Sequence, residues 1–254
     1  MPPVLPGSGW LEPVAGAAPL RLLLHVATLS QVVPLIVAIA GDRLHSPLRR
    51  AVALWCLALF IGDALYLMAS LSRGENLWLG YVIPPLGSVL ALWALSLGHP
   101  DAVGRVAIRV AIPLEILVGV ILTLTIEDPS TFSLVTSPFH ALVVLLAASW
   151  TFLRLGLSET EGLARRDWFW IVGGIMIYSA TLTALQPVSW FLRAAGRLDL
   201  LAAVYYAKAA ADIVAFLAIA GGMLCPVLPT SSGGSSSPGS SPWASSSAPS
   251  ARPW

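Results

Sequence analysis

Charge is the scarce ingredient of this sequence. Its 254 residues include 14 Lys or Arg and 13 Asp or Glu, 11% of the chain, where a soluble domain carries roughly 25%. Apolar residues reach 57%, more than a water-soluble globule of this size hides inside. The same two numbers exclude disorder for the bulk of the chain, because disordered segments are poor in apolar residues and rich in net charge. A formal net charge of +1 gives no electrostatic basis for nucleic-acid binding. The two cysteines, Cys56 and Cys225, make no disulfide framework and are read as small packing residues. No HExxH, no CxxC, no Gly-rich phosphate loop and no pair of ligands at zinc spacing occurs, so no metal site is expected. An integral membrane protein remains.

A helix that crosses a bilayer needs about 20 mostly apolar residues. Seven such stretches follow one another: Ala18 to Ala40, Ala51 to Leu71, Leu77 to Gly98, Val106 to Ile126, Leu134 to Leu155, Trp168 to Val188 and Leu200 to Pro226. Barrel strands would alternate in polarity at every second residue, and these runs are apolar throughout. The expected fold is therefore all-α, a polytopic protein of seven transmembrane helices spanning residues 18–226. The first run is too long for a signal-peptide core and is read as retained. Lys and Arg accumulate in short cytoplasmic connections. Arg43, Arg49, Arg50, Arg105, Arg109, Arg154, Arg165 and Arg166 fall on one side, whereas Arg21, Arg73, Arg193 and Arg197 fall on the other. That bias puts the N-terminal segment 1–17 outside and the tail 227–254 in the cytoplasm. From Thr230 to Trp254, 18 of 25 residues are Ser, Gly or Pro, a composition that cannot bury a core and is expected to be disordered. No output domain is expected after the bundle.

Six ionisable residues lie within the spans, away from their ends: His25, Asp63, Glu115, His140, Lys208 and Asp212. Such residues are expensive in lipid and mark functional sites by default. Counted from the outer end of each span at 1.5 Å per residue, His25 and His140 lie about 9 Å deep, Asp63 and Lys208 about 12 Å, Glu115 about 16 Å and Asp212 about 18 Å. The inner half offers only Ser, Thr, Gln and Cys as polar groups. A pump or ion carrier needs ionisable or hydrating groups along its whole route. A polar pocket open to the outside above a dry floor instead fits a small-molecule receptor, with these six residues as ligand-binding candidates. The plainer reading is that each polar group satisfies a neighbouring helix, most readily for the two histidines. No cofactor is indicated.

The last span is the most specific. Ala203, Ala207, Ala211 and Ala215 recur at every fourth residue, a small-residue stripe for helix packing. Beside it Lys208 and Asp212, one turn apart, are placed to form an ion pair. Pro34, Pro84, Pro85, Pro113 and Pro138 are expected to kink or loosen helices, Pro84 and Pro85 most of all. Trp168 and Trp170 beside Arg165 and Arg166 are expected to anchor the inner interface, and Trp78 and Trp190 the outer one.

Three family resemblances bear on function. Seven helices with a lysine in the last resemble microbial rhodopsins, which implies retinal on Lys208. That family places a carboxylate one turn before its lysine, whereas Asp212 comes one turn after, and the third span holds no counter-ion. The segment Gly62-Asp63-Ala64-Leu65-Tyr66-Leu67-Met68 resembles lysoplasmalogenase-like membrane hydrolases, which implies Asp63 acting with Glu115 or Asp212 as an acid-base pair. The broadest resemblance covers most of residues 18–226. It rests on Asn76-Leu77-Trp78-Leu79-Gly80-Tyr81 with Pro84-Pro85, and on Arg166-Asp167-Trp168-Phe169-Trp170-Ile171 with Met176-Ile177-Tyr178. These segments resemble the seven-helix sensory membrane regions of bacterial histidine kinases and related bacterial seven-helix proteins. They imply a multi-pass sensor or interaction module of a bacterial inner membrane, acting through a membrane or cytoplasmic protein partner. The expectation is a non-enzymatic module in the lipid bilayer that takes a small-molecule ligand. Its alternatives are an accessory subunit of a larger membrane complex, a hydrolase and a retinal protein.

Overall fold

A computed structural model of the chain describes residues 18–71, 78–127, 133–158 and 162–225. The N-terminal segment, the Ser/Gly/Pro-rich tail and Arg73 lie outside the described residues. Within them all regular structure is helical: α1 (Ala18–Ser30), α2 (Val33–Ala40), α3 (Pro47–Leu71), α4 (Leu79–Gly98), α5 (Ala102–Thr125), α6 (Thr136–Ser158), α7 (Asp167–Ala194) and α8 (Leu198–Leu224), with a 3-10 turn at Leu163–Arg165. Six stretches are long and apolar enough to cross a membrane: Leu22–Ala40 across the α1–α2 junction, Leu79–Gly98, Ala102–Thr125, Thr136–Leu157, Asp167–Ala194 and Leu198–Leu224.

The first apolar run is thus two helices. Pro34 has no N–H to donate to Ser30 and falls in the first turn of α2, where a missing donor costs nothing. The chain closes α1 with 3-10-type bonds, Gln31 N to Thr28 O at 3.2 Å and Val32 N to Leu29 O at 3.1 Å. Elsewhere proline leaves the helices continuous. Pro84 and Pro85 sit inside α4, Pro113 inside α5 and Pro187 inside α7. Pro138 falls in the first turn of α6, where its absent N–H has no intrahelical partner to lose.

One end of the bundle is rich in arginine. Arg49 of α3 bonds Asp167 at the start of α7 and the Cys225 carbonyl at the end of α8. Arg43 reaches the same helix end, donating to Met223 O at 2.8 Å. Arg154 near the end of α6 grips Asp101 at the start of α5 with two N–H groups. Cations at a helix C-terminus also oppose its negative dipole end. At the other end Leu20 of α1 packs on Leu201 of α8, and Tyr66 near the end of α3 approaches Gly80 at the start of α4.

Between the ends lies an apolar core around Trp55, Leu92, Ile171, Ile175, Phe216 and Ile219. Trp55 meets Tyr178 edge-on, with ring centroids 5.6 Å apart. Helices α7 and α8 approach closely where glycine permits: a Cβ on Gly174 would lie 2.6 Å from the Ala215 carbonyl, and one on Gly222 would lie 2.8 Å from the Asp167 carbonyl. Trp168, expected at an interface, is buried against Phe152 and Phe169, because the first turn of α7 is covered by α6. Trp78, Trp170 and Trp190 are exposed. Helix α5 lies on the flank, with Leu114, Leu117, Ile121 and Leu124 all exposed.

Candidate functional site

A cavity of about 250 Å³ opens among α3, α4, α6, α7 and α8, towards the end opposite the arginine-rich one. Five helices contribute because each brings its remote half to the same level. Asp63 and Tyr66 come from late in α3, Ile83 to Ala91 from α4, and Ser137 to Val144 from early in α6. Tyr178 to Ser189 come from late in α7, and Val204, Tyr205 and Lys208 from early in α8. Trp55, Leu59, Ala91 and Val144 form the side towards the arginine-rich end and belong to, or border, the apolar core. Polar groups therefore sit above an apolar floor.

Five of the six ionisable residues singled out in the sequence meet at or beside this cavity in two groups. In the first, Lys208 Nζ donates to Asp212 Oδ2 at 2.5 Å within α8, while Asp63 shares the cavity wall with Lys208. Asp63 is not left to its neighbours on α3: Gln31, at the α1–α2 junction, donates from Nε2 to Asp63 Oδ2 at 2.6 Å. Gln31 Oε1 and Asp212 Oδ1 are buried without a hydrogen-bond partner. In the second group, His140 lines the cavity and its Nδ1 lies 2.5 Å from Glu115 Oε1. Glu115 is only 2% exposed, and its second oxygen is also buried without a partner. It stands behind His140, not on the cavity wall. A side chain on Gly119 would strike the His140 ring, so this glycine makes room for the pair.

Further polar lining was not singled out beforehand. Ser137 and Gln186 bond each other across α6 and α7, at 3.1 and 3.0 Å. Ser88, Ser179, Thr181 and Ser189 add hydroxyls, as do Tyr66, Tyr178 and Tyr205. Serines, tyrosines and glutamines in apolar runs carry no charge signal, and nothing in one sequence says which helix face they occupy. His25 is exposed on α1 and does not line the cavity. Of the alanine stripe, Ala215 is buried and Ala211 half-buried, while Ala203 and Ala207 are exposed. Both cysteines are free thiols.

The arrangement can hold a compact molecule by hydrogen bonds, by charge at Asp63 and Lys208, and by aromatic faces. No protein-family model matches the chain, and neither the curated proteins nor the solved structures include one significantly similar to it.

Proposed function

We propose that the chain is a seven-helix module of a bacterial inner membrane, with its N-terminus outside, which binds a small molecule without transforming it and transmits occupancy to a protein partner. The observation that carries this reading is the five-helix cavity, polar above and apolar below, at the end opposite the arginine-rich one. Positive residues favour the cytoplasmic side, so that end faces out. Helix α3 supplies the seventh span: it runs among the six apolar stretches from Arg49 at the arginine-rich end to Tyr66 at the other. Its intramembrane charge, Asp63, has a partner in Gln31.

The floor argues for a receptor over a conduit, because the side chains that form it, Trp55, Leu59, Ala91 and Val144, are apolar and hydrate nothing. The hydrolase alternative has less behind it. Glu115 lies behind His140, and Asp212 is committed to Lys208, so neither stands beside Asp63 as a free acid-base partner.

Native mass spectrometry of the gently extracted protein, with a visible spectrum of the same sample, tests the reading. A bound small molecule that disappears in Ala141→Phe, whose ring would enter the cavity, is the expected result. A visible pigment would transfer the assignment to a retinal protein. A stable protein complex with an empty cavity would make the chain an accessory subunit.

A further inference from the structure

The charged groups around Asp63 do not balance. Asp63 and Asp212 carry two negative charges when ionised, and Lys208 carries one positive charge. Gln31, which orients Asp63, carries none. The three ionisable groups act on one another directly: Lys208 is bonded to Asp212, and both lie within electrostatic range of Asp63. The His140–Glu115 pair forms a contact of its own, and neither of its members bonds to Asp63, Lys208 or Asp212. One negative charge is left over. A buried charge needs a partner of opposite sign.

Two further observations give the direction in which that partner is missing. Gln31 Oε1 and Asp212 Oδ1 are both buried acceptors without a donor, on residues only 3% and 4% exposed. Both stand just behind the cavity wall, on the hydrogen-bond partners of Asp63 and Lys208. With Lys208 held by Asp212, the charge left over at the cavity wall is the Asp63 carboxylate. An ammonium group supplies the opposite charge together with N–H donors. The lining next to Asp63 also suits such a group: Trp55 and Tyr178 meet edge-on there, and Tyr66 and Tyr205 border the same space. Aromatic faces attract organic cations, most strongly when water is excluded.

We propose that the ligand of this cavity is a small organic ammonium compound whose cationic head is received by Asp63 and whose apolar body rests on Trp55 and Tyr178. This rests on the receptor reading above and specifies its ligand. Lys208 does not compete for the role, because Asp212 holds its ammonium. Gln31 ties the α1–α2 junction to the carboxylate that binds the ligand, so occupancy is felt at the break in the first apolar run.

The test uses the full chain in lipid nanodiscs and three probes: phenethylamine, its neutral analogue 2-phenylethanol, and sodium chloride alone. Phenethylamine is expected to raise the thermal midpoint in a saturable manner, and the neutral alcohol and the salt are not. Asp63→Asn keeps an acceptor for Gln31 but removes the charge, and is expected to weaken phenethylamine binding by about tenfold or more. Asp63→Asn that folds with the wild-type midpoint and still binds the amine equally well would overturn the proposal. So would equal stabilisation by 2-phenylethanol, or by sodium chloride, which would make the missing charge inorganic. Indifference to all three probes would overturn it too, because a proton on Asp63 then provides the balance. A neutral or anionic molecule found by native mass spectrometry and lost in Ala141→Phe would refute the ammonium assignment and leave the receptor reading standing.

Discussion

Arg49 and Asp167, 118 positions apart in sequence, are bonded at 3.0 Å in a place where the arginine side chain is only 1% exposed. The same Nη2 donates to the Cys225 carbonyl at 2.7 Å, so one guanidinium joins α3, α7 and α8. Removing it leaves the Asp167 carboxylate without its cation and the Cys225 carbonyl with only the longer bond from Arg43, at 3.3 Å. Arg49→Leu is expected to destabilise the bundle by about 3–5 kcal/mol, the usual cost of breaking a buried pair from one side. Asp167→Asn should cost less, because Asp167 is 23% exposed and the amide oxygen still accepts. Unfolding in mixed micelles with rising SDS measures both, and equal midpoints for wild type and Arg49→Leu would refute the joint.

The Lys208–Asp212 pair predicts strong non-additivity. Lys208→Met leaves Asp212 buried with neither oxygen partnered. It should cost about 2–4 kcal/mol, towards the lower side for a buried pair because Lys208 is 32% exposed. Adding Asp212→Leu removes the stranded charge and should restore most of that loss. A double-mutant cycle in the same micelle assay reads the coupling; additive losses would mean that the pair does not act as a unit.

Neighbouring glycines on α7 should respond in opposite ways. A Cβ on Gly174 would lie 2.5 Å from the Ile219 side chain and 2.6 Å from the Ala215 carbonyl, whereas one on Gly173 meets nothing nearer than 4.0 Å. Gly174→Ala is therefore expected to force α7 and α8 apart at about 1–3 kcal/mol. Gly173→Ala should be neutral or stabilising by up to about 1 kcal/mol through helix propensity. Thermal midpoints of the two variants check the contrast.

Glu127 connects α5 to α6 by accepting the backbone N–H groups of Leu134, Val135 and Thr136 on one oxygen. Partial burial works to raise its carboxyl, but the hydrogen bonds from Thr136, Val135 and Leu134 outweigh that effect and leave it below the ordinary glutamate value. A depressed folded value means that the ionised form stabilises the fold. The contribution is complete above the unfolded value near pH 4.3 and is lost as pH falls through the lower folded one. Glu127→Gln should remove this acid-dependent part, and Glu127→Ala should cost about 1 kcal/mol at neutral pH as a lost cap. Midpoints measured from pH 6 down to pH 3 would show it; identical slopes in wild type and Glu127→Gln would contradict it.

Much of the fold was legible because bilayer length and apolar composition are coarse signals. The run from Val106 to Ile126 reads as one helix, and α5 is one helix. The break at Gln31 was not legible as a break: Pro34 flagged trouble, but only the packing of α1 and α2 against α8 lets the chain turn there and not bend smoothly. Within the site, Lys208 and Asp212 were readable as a pair because one helix fixes their spacing. Glu115 and His140 were singled out separately, and their contact depends on how α5 and α6 rotate. Gln31 carries no charge and escaped notice, yet it orients Asp63. His99 escaped too: it is buried at the arginine-rich end against Trp150, and its position after α4 gave no sign of that.

Helix α8 is held unequally along its length. Its last carbonyls accept from Arg43 and Arg49, and Phe216, Ile219 and Met223 are fully buried there. Its first turn has no side-chain cap, and Leu198 and Leu200 are 42% exposed. The end at Cys225 is clamped by two guanidinium groups, whereas the half that carries Lys208 rests on apolar contacts such as Leu201 on Leu20. Amide hydrogens near Leu198 should exchange with solvent orders of magnitude faster than those near Met223, and whatever passes into the cavity needs only the unclamped half of α8 to flex.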